Sequence, residues 1–229
     1  GDIVQIDDQH IKFDDIQHFD GYIRYRLSKN APPTVVDADD LLAEMSATAG
    51  EMATELGKID DLSADEKALL FKQVGYGALK YFLLKVSPSK SMMFDPKASV
   101  DFIGNTAPFI QFNYVRAQSV LAKCAEAGTS VDIEHIDEGA WDTEELRLIQ
   151  WGLMWPDTLQ QAAEQCDPSL IANHTYELTK GYSRWYQDHP VLKEADAEKR
   201  DARIALTRFV AHQIKASMAL LGIEMPKKM

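Results

Sequence analysis

Apolar residues recur along most of this chain every three or four positions, the interval that lines one side of an α-helix. Over 37–58 the stripe is Leu41, Met45, Met52 and Leu56. From Ser63 it passes through Leu69, Leu70, Val74, Tyr81 and Phe82, with Pro88 as the stop. Ser63 and Glu66 have the spacing of a capping box, and Asp142 and Glu145 repeat it. A short helical turn is predicted over 96–102 and a long helix over 106–127, ended by Gly128. A helix opened by Asp142 stops at Pro156, and a shorter one reaches Cys166. Asp167 as N-cap and Pro168 as first helical residue start another, to about Tyr186. The last runs over 197–221, with Gly222 just past its end. These elements make an all-α fold, a bundle of about seven helices, with no internal repeat. Residues 1–33 differ. GDIVQIDDQHIKFDD and FDGYIRYRL alternate apolar and polar positions, as two or three short strands or an irregular arm would, and KNAPP marks a boundary.

The helix predicted over 106–127 has two faces. At 100° per residue Ile110, Tyr114, Ala117, Leu121 and Cys124 form a core stripe. Phe109, Phe112, Arg116 and Lys123 form a second stripe about 130° away. Aromatic rings beside an arginine need a cover. One cover is another helix. The other is nucleic acid, with rings stacked on unpaired bases and cations on phosphates. The spacing admits both.

Charge sharpens the choice. The 229-residue chain is long enough for one large domain or two small ones, and its net charge of −12 argues against nucleic acid when taken whole. Its distribution argues otherwise. Residues 67–124 carry 8 basic and 2 acidic side chains, and residues 199–229 carry 7 and 2. The stretches 1–66 and 125–198 are strongly acidic. If folding joins the two basic blocks, they form a patch with an acidic surround, and Arg203 and Arg208 on the last helix become phosphate contacts. No apolar run is long enough to span a membrane, and the first residues lack the features of a signal peptide. Cys124 and Cys166 both fall in helical patterns and are expected as two buried thiols in a reducing, cytoplasmic compartment. No cysteine–histidine cluster has metal spacing; His135 stands alone among acids, and His212 reads as packing or RNA contact. Trp151 and Trp155 read as core.

GALKYFLLKVSPSKSMMFDPKASVDFIGNTAPFIQFNYVRAQSVL resembles the C-terminal part of arginyl-tRNA synthetases, especially the form found in Bacteroidetes-type bacteria. TVVDADDLLAEM resembles the segment after that family's signature loop, NHTYELTKGYSRWYQ its YELAxxFNxFY helix, and DARIALTRFVAHQIKASMALLGIEMPKKM its closing helix and methionine-ended tail. The resemblance spans about residues 34–229. It implies connecting helices over 34–103 and an α-helical anticodon-binding domain over 104–229, after an unmatched arm over 1–33. It implies that Phe109, Phe112 and Arg116 face the anticodon loop, joined by Tyr176 and Met229. The implied partner is tRNA(Arg), bound by a monomer without a membrane and without a cofactor in this chain. ATP, with Mg, belongs to the parent arginine–tRNA ligase.

No HIGH-type tetrapeptide is present. Where relatives have a stretch like KMKSREG, this chain has LSKNAPP, in which Lys29 alone matches a signature-loop lysine. No catalytic residue is therefore assigned, and the chain reads as the tRNA-binding half without the enzyme. An excised piece, a truncated paralog acting as a protein-interaction or regulatory module, and a part joined to a foreign N-terminal arm are the alternatives that the sequence leaves open.

Overall fold

Two capping boxes decide where helices begin. In the computed structural model, which describes residues 3–6, 9–12, 22–25, 34–55, 61–90, 92, 95–128, 136 and 138–229, the Ser63 hydroxyl accepts from the Glu66 N–H while the Glu66 carboxylate accepts from the Ser63 N–H. Asp142 and Glu145 make the same reciprocal pair. Each satisfies donors that a helix start leaves open.

The chain forms two compact units, Gly1–Glu44 and Met45–Met229. The first contains two antiparallel ribbons. Strand β1 (Ile3–Ile6) pairs with β2 (Gln9–Lys12), with Ile3 opposite Lys12; β3 (Tyr22–Tyr25) pairs with β4 (Thr34–Asp37), with Tyr22 opposite Asp37. Among the described residues the stretches of alternation thus hold three of these strands, and the fourth lies beyond residue 33.

Helices follow: α1 (Ala38–Glu55), α2 (Ala64–Leu84), the single turn α3 (Pro96–Ser99), α4 (Ala107–Glu126), α5 (Thr143–Leu153), α6 (Trp155–Gln165), α7 (Ser169–Asp188) and α8 (Ala197–Leu220). In the second unit, α8 packs against α4 and α7, α6 against α7, and α2 against α4. Their shared core includes Ile110, Tyr114 and Ala117 from α4, Leu178, Tyr182 and Trp185 from α7, and Leu206, Val210, Ile214 and Met218 from α8. Burying such side chains contributes about 1.5–3 kcal/mol each. Helix α2 crosses the backbone at Met45 so closely that a Cβ on Gly75 would lie 2.6 Å from the Met45 carbonyl oxygen.

A polar knot lies inside this core. His174 is buried between the rings of Trp151 and Trp155. Thr158 donates its hydroxyl proton to the Met154 carbonyl, so towards His174 its oxygen accepts, from Nδ1–H at 3.3 Å. The Gln213 amide then donates to His174 Nε2 at 3.3 Å. This set of partners fixes the neutral Nδ1–H tautomer, and burial holds the ring's pKa below its ordinary value.

Several sequence expectations need correction. Cys166 is exposed rather than buried. It terminates α6 in the left-handed conformation, at φ 50°, which turns its side chain out of the helical stripe. Leu69 lies on the outer side of α2 and is 54% exposed. The break after α5 comes at Met154, and Pro156 sits in the first turn of α6, where its missing N–H costs nothing. Leu56, Lys29 and His135 lie outside the described residues. Cys124, the core stripe of α4 apart from the half-buried Leu121, and the Gly222 turn at φ 66° stand where the sequence put them. Among the described residues, no helix is long and apolar enough to cross a membrane.

Candidate nucleic-acid interface

The loop before α4 aims its aromatic face. Gly104 takes φ 90°, and the Thr106 hydroxyl caps the helix by accepting from the Phe109 N–H. Asn105 between them is tied on three sides. Its Oδ1 accepts from the Tyr81 hydroxyl at 2.6 Å, its Nδ2 donates to Asn173 Oδ1 at 3.2 Å, and its carbonyl accepts from Lys85 Nζ at 2.8 Å. The start of α4 is thereby fixed to both α2 and α7.

From that anchor, Phe109, Phe112 and Arg116 emerge half-buried along the seam between α4 and α7. Phe109 packs on Tyr176, with ring centroids 5.8 Å apart, and Lys180 lies over the same tyrosine at 5.4 Å. Further along, the Arg116 guanidinium sits 4.9 Å from the Phe112 ring and 5.2 Å from the Tyr186 ring. Its Nη1 donates to Asn113 Oδ1 at 3.1 Å. Contacts climb both helices in the same sense, Phe109 to Tyr176 and then Arg116 to Tyr186. Two aromatic–cationic stations therefore lie about 10 Å apart along α4, seven residues at 1.5 Å each.

Beside the second station opens a cleft of about 230 Å³, lined by Phe112, Arg116, Ser119, Lys123, Tyr186 and Met229, among others. Flat rings, a flat cation and an outer lysine are the elements that hold an unpaired base and its phosphate. Tyr186 and Lys180 were not singled out from sequence. Tyr182 and Tyr186 are four apart and share a helical face, and only the tertiary contacts show that Tyr182 is core while Tyr186 reaches the cleft.

The basic residues of α8 divide. Arg203 is 4% exposed. Its Nε donates to Glu145 at 2.9 Å, and its Nη1 donates to Glu194 at 2.6 Å and to the Pro190 carbonyl at 3.2 Å. It neutralises the fully buried Glu145 carboxylate, so the expectation that it meets RNA is corrected: its charge is already committed. Arg208 is exposed. Its charge acts on the Cys124 thiol of α4, in the direction that favours the thiolate. His212 is exposed on α8. Asp142, Glu145 and His189 approach one another closely, but Asp142 already caps α5 and Glu145 already holds Arg203.

The family of the DALR anticodon binding domain matches residues 110–229. Over 201 residues the chain is 46% identical to the arginine–tRNA ligase of Flavobacterium psychrophilum, covering 88% of this chain and 33% of that protein. It is 48% identical over 202 residues to that of Bacteroides thetaiotaomicron, covering 88% and 34%. Among solved structures, the arginyl-tRNA synthetase of Thermus thermophilus superposes with a TM-score of 0.74 at 24% identity, over 85% of this chain and 32% of that one. The Plasmodium falciparum arginyl-tRNA synthetase gives a TM-score of 0.69 at 22% identity, over 85% and 34%. At that identity the likeness is one of fold. The chain spans about a third of the length of the curated relatives it matches.

Proposed function

We propose, for a chain that belongs to the DALR anticodon-binding domain family, that it is the part of an arginine–tRNA ligase that recognises the anticodon of tRNA(Arg). The observation that carries this reading is the row of half-buried rings and cations along α4 and α7: Phe109 with Tyr176, then Phe112, Arg116 and Tyr186 around the cleft that Met229 borders. Such a row suits unpaired bases, because every base has a face to stack on and a phosphate to neutralise. Lys123 and Lys180 supply charge around it; Arg203 does not. ATP-dependent joining of arginine belongs, in this reading, to the remainder of the parent enzyme.

The test is a titration of the chain with an arginine tRNA transcript at two salt concentrations. A transcript differing only in its anticodon loop is the comparison. The arginine transcript should bind, more weakly at higher salt, and the altered loop should bind more weakly still. Equal binding of the two transcripts would overturn the reading.

A further inference from the structure

The segment 222–229 leaves α8 at Gly222 and is tied down by polar side chains of other helices. Lys80 on α2 donates to the Gly222 carbonyl at 2.6 Å. Gln73 on α2 donates to the Glu224 carboxylate at 3.0 Å. Gln111 on α4 donates to the Glu224 carbonyl at 2.9 Å and to the Gln73 carbonyl at 3.3 Å.

Gln111 stands out among these. It is fully buried, and its Oε1 finds no hydrogen-bond partner among the described residues. A half-satisfied buried amide contributes less to stability than a fully paired one. Stability alone therefore does not account for glutamine here. What the amide adds is a bond to the backbone of the tail. The helix facing it makes room: a Cβ on Gly77 would come within 2.9 Å of Gln111 Nε2 and 3.2 Å of Ile223. Five residues beyond Glu224, Met229 borders the cleft with Phe112, Arg116 and Tyr186. So short a stretch spans at most about 18 Å, and a slip at 224 is carried to 229.

We infer that Gln111 is a positioning residue: through the Glu224 carbonyl it sets the register of the tail and so holds the Met229 side chain against the cleft. The consequence for RNA rests on the function proposed above; the consequence for the tail does not.

The experiment compares the wild type, Gln111→Leu, Met229→Ala and the double variant, with Gln111→Met alongside in case the leucine variant fails to fold. Two quantities are read: hydrogen exchange of the tail amides at 223–225, and affinity for the arginine tRNA transcript. Replacing Gln111 should speed tail exchange while lowering the melting temperature only slightly. It should weaken RNA binding by about two- to tenfold, the range that one neutral hydrogen bond is worth. The double variant should bind no more weakly than the weaker single variant, because both changes remove the same Met229 contact. Unchanged tail exchange would overturn the inference, as would losses that multiply in the double variant. If the wild type binds no tRNA yet tail exchange responds to Gln111, the RNA reading fails and the register role stands.

Discussion

Arg116 and Phe112, one helical turn apart on α4, make a cation–ring contact at 4.9 Å, and the same guanidinium lies 5.2 Å from the ring of Tyr186 on α7. Contacts to two rings and the bond to Asn113 restrict a flat ion before any ligand arrives. An ammonium carries the same charge but has no plane to stack. Arg116→Lys should therefore weaken binding of the arginine transcript and leave the salt dependence unchanged, whereas Arg116→Ala should also lower the salt slope by about 1. Titrations at several salt concentrations separate the two. A lysine variant with wild-type affinity would show that only charge matters here.

Phe112→Ala removes one of those rings. A lost base–aromatic stack costs about 1–3 kcal/mol, roughly tenfold or more in affinity. Since Phe112 is only half-buried, the melting temperature should fall modestly. A large fall with unchanged affinity would mark the ring as core.

The two arginines of α8 should behave oppositely. Arg203→Ala leaves the Glu145 carboxylate buried and without its cation, a change that costs about 3–5 kcal/mol. Urea unfolding should register it, while the salt slope of RNA binding by the folded protein stays unchanged. Arg208→Ala should barely move the unfolding midpoint and should reduce the slope by about 1.

His174 predicts a dependence on pH. Its folded pKa lies below the ordinary 6.5 because burial disfavours the charged ring, and the groups around it are two indoles, a hydroxyl and an amide. Between the folded and unfolded values the unfolded chain binds the extra proton. Stability is thus fully present above about pH 6.5 and falls as pH drops through the folded value. Asp142 acts in a separate window. Burial would raise its pKa, but the N–H groups of Glu145 and Glu144 and the His189 ring outweigh this and lower it below 3.8, so its contribution is lost only in stronger acid. Unfolding curves from pH 7.5 to 5 should show a decline that His174→Gln flattens.

Gly75→Ala should destabilise, although alanine is the better helix former by about 1 kcal/mol. The added Cβ would meet backbone, the Met45 carbonyl and the Ser46 N–H, and backbone cannot turn aside as a side chain can. A net loss of about 1–3 kcal/mol is expected. A raised melting temperature would show that α2 shifts to accept it.

Much of this was legible in the sequence because it is local. A cap and its partner lie three residues apart at Ser63 and Glu66, and the faces of α4 follow from 100° per residue. Arg203 was misread for the opposite reason. Its partner Glu145 is 58 positions away, and counting charge within a block registers a committed arginine and a free one alike. Cys166 fits a helical period up to the residue where the backbone turns left-handed, and periodicity carries no sign of φ. Gln111 lies in the PFIQF run with no partner legible near it in sequence, because the tail that its amide meets is 113 positions away.

The contrast between the two cysteines gives the protein a chemical address. Cys124 is buried and its thiol pKa is pushed up by burial, so little of it is the nucleophilic thiolate. Cys166 stands open at the end of α6. A maleimide dye added to the folded chain will attach there and nowhere else, one label per molecule. Unmutated protein can thus be followed by fluorescence in the titrations proposed above.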